Sequence, residues 1–243
     1  MSTSASRRDQ VATGLSAVRD RITRACDAAG RDASEVHLIV VTKTFPAQDV
    51  RVLAELGVTD VGENRHQEAV GKHAECADLD LTWHFVGALQ TNKAAAVAEY
   101  ADVVHSVDRA RLVRALGKAV EAAGRPLRCL VQVNLDEGEE PARGRSGSRR
   151  SGAHPRQVPD LADELAAHEL LELAGVMGVA PPGGETEAAF ATLAEVSASV
   201  QARHPGATMV SAGMSGDLEV AVRHGATHVR VGSAVLGERP PNR

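Results

Sequence analysis

Lys43 stands where a merely solvating lysine is least expected, at the end of the apolar run Val36-His37-Leu38-Ile39-Val40-Val41-Thr42. Lysine is scarce here: Lys43, Lys72, Lys93 and Lys118 are the only four among 27 basic residues, and arginine supplies the rest. A strand ending at Thr42 delivers the Lys43 amine to one end of a sheet. Towards the C-terminus, Ser211-Ala212-Gly213-Met214-Ser215-Gly216 and Arg230-Val231-Gly232-Ser233 read as glycine-containing turns rich in backbone donors. Backbone N–H groups at the start of a helix favour a phosphate or another anion. The hydroxyls of Ser211 and Ser215 add donors to that cradle. An amine facing an anion cradle points to an aldehyde that bears a phosphate and is held as a Schiff base. A partly desolvated lysine near other cations is the nucleophile such chemistry uses.

Those turns need a scaffold that brings strand ends together. Apolar residues at Val11, Leu15, Val18, Ile22 and Cys26 predict a helix over about 8–29, and Gly30 closes it. Short β-rich runs follow at about 36–42, 58–62, 82–87, 102–106, 128–134, 171–178, 207–211 and 227–231. Amphipathic segments fill about 46–56, 64–75, 91–99, 108–123, 156–168, 185–203 and 215–224, with a short turn near 233–237. Eight β-runs separated mostly by single helices predict a parallel sheet with βαβ crossovers. A closed (β/α)8 barrel takes about 250 residues, and this chain has 243. The expected fold is therefore a single α/β domain over 1–243, a TIM-type barrel with an extra N-terminal helix. A flexible tail is expected at 1–7. A mobile loop is expected at 139–154, where four arginines mix with glycines and serines.

Active-site groups of such barrels come from the C-terminal strand ends. Those ends offer Lys43; Gly62, Glu63 and Asn64; His84 and Gly87; His105 and Ser106; Asn134; Met177; Ser211; and Arg230. Phosphate sites of barrels often follow strands seven and eight, which is where Ser211–Ser215 and Gly232–Ser233 fall. Arg230 reads either as a paired structural arginine or as a guanidinium facing a cofactor's ring nitrogen. In the second role it disfavours protonation of that nitrogen and weakens the ring as an electron sink. His84 reads first as a hydrogen-bonded structural residue. No histidine or cysteine spacing marks a metal site.

Composition excludes other classes. Net charge is −5, so no electrostatic case exists for nucleic acid or an anionic membrane. Three separated cysteines carry no disulfide framework, and no apolar run reaches the roughly 18 residues of a membrane span. The N-terminus lacks the apolar core of a secretion signal. A cytoplasmic location is expected.

Several separated segments, in order, carry a resemblance. They are Val41-Thr42-Lys43-Thr44, Gly62-Glu63-Asn64, the run Trp83 to Lys93, His105-Ser106-Val107-Asp108-Arg109, Val131-Gln132-Val133-Asn134, Met177-Gly178, Ser211 to Ser215, and Val229-Arg230-Val231-Gly232-Ser233. The chain resembles the pyridoxal-phosphate homeostasis proteins, which have the fold of the N-terminal barrel of alanine racemase. That resemblance implies a carrier of pyridoxal 5′-phosphate without catalytic turnover. It places the covalent link on Lys43, the phosphate on Ser211, Gly232 and Ser233 with Gly213 and Ser215 nearby, Arg230 against the pyridine nitrogen, and Asn64 beside the ring. It also implies apo pyridoxal-dependent enzymes as possible recipients. A site complete within one chain implies a monomer. The arginine- and glycine-rich stretch 142–152 departs from the shorter loop expected of the family.

Two other classes fit the residues less well than a carrier. A racemase needs bases on both faces of the substrate α-carbon. In alanine racemases the second base is a tyrosine, brought by a second domain of the partner subunit. Here the single tyrosine, Tyr100, falls in a helix-to-strand connection. An empty-barrel scaffold does not explain polar groups at nearly every strand end.

Overall fold

The computed structural model describes residues 6–136, 151–183 and 185–238. Eight parallel strands close a barrel in sequence order: β1 (His37–Val41), β2 (Asp60–Glu63), β3 (Thr82–Phe85), β4 (Val103–Val107), β5 (Leu127–Val133), β6 (Leu171–Gly178), β7 (Met209–Ser211) and β8 (His228–Val231). Pairing of β1 with β8, Val40 opposite Val231, closes the ring.

The helices are α1 (Arg7–Ala29), α2 (Ala47–Glu55), α3 (His66–Glu75), α4 (Ala94–Ala98), α5 (Ala110–Ala123), α6 (Val158–Ala166), α7 (Thr186–Arg203), α8 (Leu218–Arg223) and α9 (Ser233–Leu236). Most lie within a few residues of their expected bounds. The segment expected as one helix over 91–99 is instead a 3-10 turn, Thr91–Lys93, followed by the short α4. The segment expected over 215–224 starts later, because Met214 to Asp217 form a turn in which the Asp217 carboxylate accepts from the Met214 N–H.

The extra helix is built as its sequence dictates. Ser6 caps α1 through a reciprocal capping box with Asp9, and Gly30 closes it in the left-handed conformation, φ 65°. Ser6 and Arg7 thus belong to the helix rather than to a tail, and Arg7 pairs with Asp49 at 2.7 Å. Residues 1–5 lie outside the described residues. Val11, Leu15, Val18, Ile22 and Cys26 are all buried, and α1 packs on α8 and α9. The approach to α9 is close: a Cβ on Gly14 would lie 2.4 Å from the Val235 carbonyl oxygen.

Of the stretch 139–154, residues 139–150 lie outside the described residues. Its last residues are tied to the barrel rather than loose: Ala153 bridges Val133, and the Ser151 hydroxyl donates to Asp108 and Gln132. The three cysteines are free and buried. Among the described residues no helix is long and apolar enough to cross a membrane, and no group of histidine, cysteine and acidic side chains could hold a metal ion.

Candidate functional site

The mouth at the C-terminal strand ends has two walls. The first is built on β7, β8 and the turns that follow them. Gly213 has φ 89°, a region open to glycine at little cost, and a Cβ there would lie 2.7 Å from the Ala221 Cβ. Gly232 lies against β1, and a Cβ on it would be 2.9 Å from the Val41 carbonyl oxygen. Both positions therefore need glycine, and both let backbone line the mouth. The first N–H groups of α9, on Ser233 and Ala234, have no carbonyl partner within their helix. Ser233 is exposed and Ser215 half-buried. From α1, Arg21 donates to the Ser215 carbonyl at 3.0 Å and pairs with Glu219, which fixes the turn from behind.

The second wall is built on β1, β2 and α3. Lys43 is half-buried, in the turn directly after β1. Its neighbour Thr44 has φ 70°, an uncommon conformation for a β-branched residue, and its N–H donates to the Glu68 carboxylate at 2.9 Å. Beneath this turn lies a buried ion pair. Lys72 Nζ donates to Glu63 Oε1 and to the Thr42 carbonyl, each at 2.6 Å, and the Thr42 hydroxyl donates to the same Glu63 oxygen at 2.6 Å. Burial pushes the Glu63 carboxyl above its ordinary range, and Lys72 and Thr42 offset only part of that effect. Lys72 escaped the sequence reading because it lies within a helical pattern. Its signal was the rarity of lysine in this chain.

Strand pairing brings the two walls together. β1 neighbours both β8 and β2, so Lys43, Gly232, Ser233 and Asn64 share one end of the barrel. Asn64 is half-buried in the loop after β2 and packs backbone to backbone on Gly87, where a Cβ would lie 2.1 Å from the Asn64 carbonyl oxygen.

Arg230 is buried beneath the first wall. Its guanidinium donates to Ser211 Oγ at 2.6 Å and to the Gly178 carbonyl at 3.0 Å, and keeps further N–H donors. Burial lowers its pKa to about 10, so it is charged at neutral pH. Ser211, expected beside the phosphate, is fully buried, and its hydroxyl lies between Arg230 and His105 Nδ1, 2.9 Å away. Its geometry braces the arginine. His84 is buried and hydrogen-bonded, as expected of a structural histidine. Met177 packs inside the barrel, whereas Met214 is exposed at the mouth.

The residues present fit a phosphorylated aldehyde. The mouth offers a lysine, a glycine-lined cradle of N–H groups and a buried arginine with donors to spare.

Fold and mouth together define the class. The alanine racemase N-terminal domain family matches residues 14–240. A relative in Mycobacterium tuberculosis, named pyridoxal phosphate homeostasis protein, is 43% identical over 96% of this chain and 94% of its own. PipY of Synechococcus elongatus is 33% identical, with a TM-score of 0.79 over 93% of this chain and all of its own, and its structure is known with and without pyridoxal phosphate. Alanine racemase of Corynebacterium glutamicum shares the fold, with a TM-score of 0.68 at 16% identity, and this chain spans 61% of it. The chain belongs to the pyridoxal phosphate homeostasis protein family.

Proposed function

We propose that this chain binds pyridoxal 5′-phosphate at the barrel mouth as a Schiff base on Lys43. In this reading it takes part in intracellular homeostasis of that cofactor, passing it to apo-enzymes without turning over a substrate itself. The observation that carries the reading is the pairing of β1 with β8, which sets the Lys43 turn beside the glycine-lined turn at Gly232. The cofactor-bound structure of a relative that aligns over nearly the whole chain supports it.

When bound, the cofactor supplies an electrophilic aldehyde for a lysine amine and a phosphate that anchors it. This chain's residues then have distinct tasks. The N–H groups of Gly213 and Ser215 and those at Gly232–Ser233 take the phosphate, and the Ser215 hydroxyl adds a donor. Asn64 borders the ring. Arg230 presents N–H donors to the ring nitrogen; a guanidinium accepts no proton, so that nitrogen stays unprotonated. Ser211 acts through Arg230.

The non-catalytic part of the reading is supported by Tyr100. This tyrosine is buried against His66 and His73, and its hydroxyl has no hydrogen-bond partner among the described residues. Burial, with the Glu63 charge adding to it, pushes its pKa far above the ordinary phenol range. It is no base for a substrate at the mouth. The same reading expects a cytoplasmic monomer, since every residue it uses lies on one chain.

The test is the visible spectrum of the purified protein with and without added pyridoxal phosphate, in wild type and Lys43→Ala, followed by borohydride reduction and peptide mapping. A band only in the wild type, with the label on Lys43, is the expected result. A label on another lysine, or no band in either protein, overturns the assignment. Interconversion of alanine enantiomers that depends on Lys43 would overturn the non-catalytic reading.

A further inference from the structure

Five side chains cross the barrel interior in one hydrogen-bonded line. Asp60 Oδ1 lies 2.9 Å from His84 Nε2, His84 Nδ1 lies 2.9 Å from His105 Nε2, and His105 Nδ1 lies 2.9 Å from Ser211 Oγ. Arg230 completes the line at Ser211. The five come from β2, β3, β4, β7 and β8. One end, Asp60, is 22% exposed and lines a cavity of about 430 Å³ between α1 and the first two strands, where His37 and Arg19 also lie. The other end is the arginine beneath the mouth.

The two ends decide where every proton sits. A guanidinium only donates, and a carboxylate only accepts. Ser211 Oγ accepts from Arg230, so its own proton goes to His105 Nδ1. His105 then carries its proton on Nε2 and donates to His84 Nδ1. His84 carries its proton on Nε2 and donates to Asp60. The reverse neutral arrangement leaves the contact between His84 and Asp60 without a proton. An extra proton on His84 turns His105 around and leaves the Ser211 proton without its acceptor. Around the line lie Arg128, Asp102, His228 and His37. Burial lowers the pKa of both central histidines, and the Arg128 charge reinforces that. Burial pushes Asp60 up, but hydrogen bonds from His84 and Thr59 outweigh it and keep the carboxyl ionised.

We propose that Asp60, His84 and His105 are positioning residues for Arg230. They hold the Ser211 hydroxyl as an acceptor, so the guanidinium stays clamped between Ser211 and Gly178 with its remaining donors set for a ring nitrogen. The arginine of the mouth is thereby oriented from the opposite end of the barrel. The affinity part of this inference rests on the proposed cofactor site; the proton arrangement does not.

Two measurements test it. Two-bond ¹H–¹⁵N correlation spectra of the full chain, labelled with ¹⁵N-histidine, report the protonated nitrogen of each ring; His84→Gln and His105→Gln assign the signals. Both rings are expected neutral with the proton on Nε2 at pH 7. A proton on Nδ1 of either ring, or a cationic ring, overturns the arrangement. The second measurement is affinity for pyridoxal phosphate, taken with the unfolding midpoint of each variant. His105→Leu is expected to bind about tenfold more weakly. His105→Gln, whose amide can accept from Ser211 and donate to His84, is expected to recover most of the loss. Wild-type affinity in a folded His105→Leu protein overturns the positioning role. A wild-type protein that binds no pyridoxal phosphate overturns the cofactor site, and the nitrogen spectra then decide the line alone.

Discussion

The two walls of the mouth are held by different forces. On the β7–β8 side the chain is placed by shape: Gly213 and Gly232 bring backbone where no side chain fits. On the β1–β2 side it is placed by charge: the Lys43 turn rests on Glu63, Lys72 and Thr42, all buried. A wall of shape presents fixed dipoles to an anion. A wall of buried charge fixes the turn through a paired lysine and carboxylate, at the cost of holding an ion pair away from water. The comparison predicts that the walls fail differently.

The largest failure is expected on the charged wall. Lys72→Met leaves Glu63, 1% exposed, without its counter-ion. Removing one partner of such a pair costs about 3–5 kcal/mol, to be read from urea unfolding at pH 7. Replacing both residues, Glu63→Leu with Lys72→Met, is expected to restore most of that loss. If the single variant is as stable as the wild type, the wall is not held by charge.

On the shaped wall the expected loss is smaller. Gly213→Ala forces a side chain into φ 89° and against Ala221. Backbone strain of this kind costs about 1–3 kcal/mol, and the displaced turn should weaken phosphate retention as well. Unchanged unfolding and cofactor affinity would remove the need for glycine there.

Acid acts with opposite sign on the charged wall and on the foot of β8. Glu63 has a raised folded pKa, so its contribution grows as pH falls and is lost as pH rises through that value. At the foot of β8, burial takes His228 down to about 3, and His37 and His84 add to the shift. A histidine buried neutral contributes stability above its unfolded value, near 6.5, and loses it as pH falls towards about 3. His228→Gln should therefore flatten the acid limb of stability against pH, by at most about 1.4 kcal/mol per unit. Equilibrium unfolding at a series of pH values checks this, and an unchanged slope counts against a neutral, half-buried ring.

The sequence carried the scaffold and much of the mouth. Strand ends were legible because β-rich runs end at Lys43, Asn64, Ser211 and Gly232, and glycine marks the turns that a side chain would block. What it hid depends on closure of the ring. Whether Ser211 faces the mouth or the interior is decided by which face of β7 turns inward, and a three-residue strand carries too short a period to tell. The partnership of Lys72 with Glu63 spans a helix and a strand and leaves no spacing signature. The line from Asp60 to Arg230 draws its members from five strands, so only their assembly reveals it. The stretch 139–150 lies outside the described residues, and its expected mobility stays an expectation of composition.

The contact of Gly14 with the Val235 carbonyl joins the first helix to the last, and β1 meets β8 beside it. The Gly232 turn is therefore synthesised well after the Lys43 turn and is placed only once β8 pairs with β1. A chain cut short before β8 would carry Lys43 but would lack the Gly232 turn, α9 and the strand that pairs with β1. Synthesis thus sets an order on this fold: the residue that would react with an aldehyde emerges with the first strand, and the cradle that would retain its phosphate arrives only with the eighth.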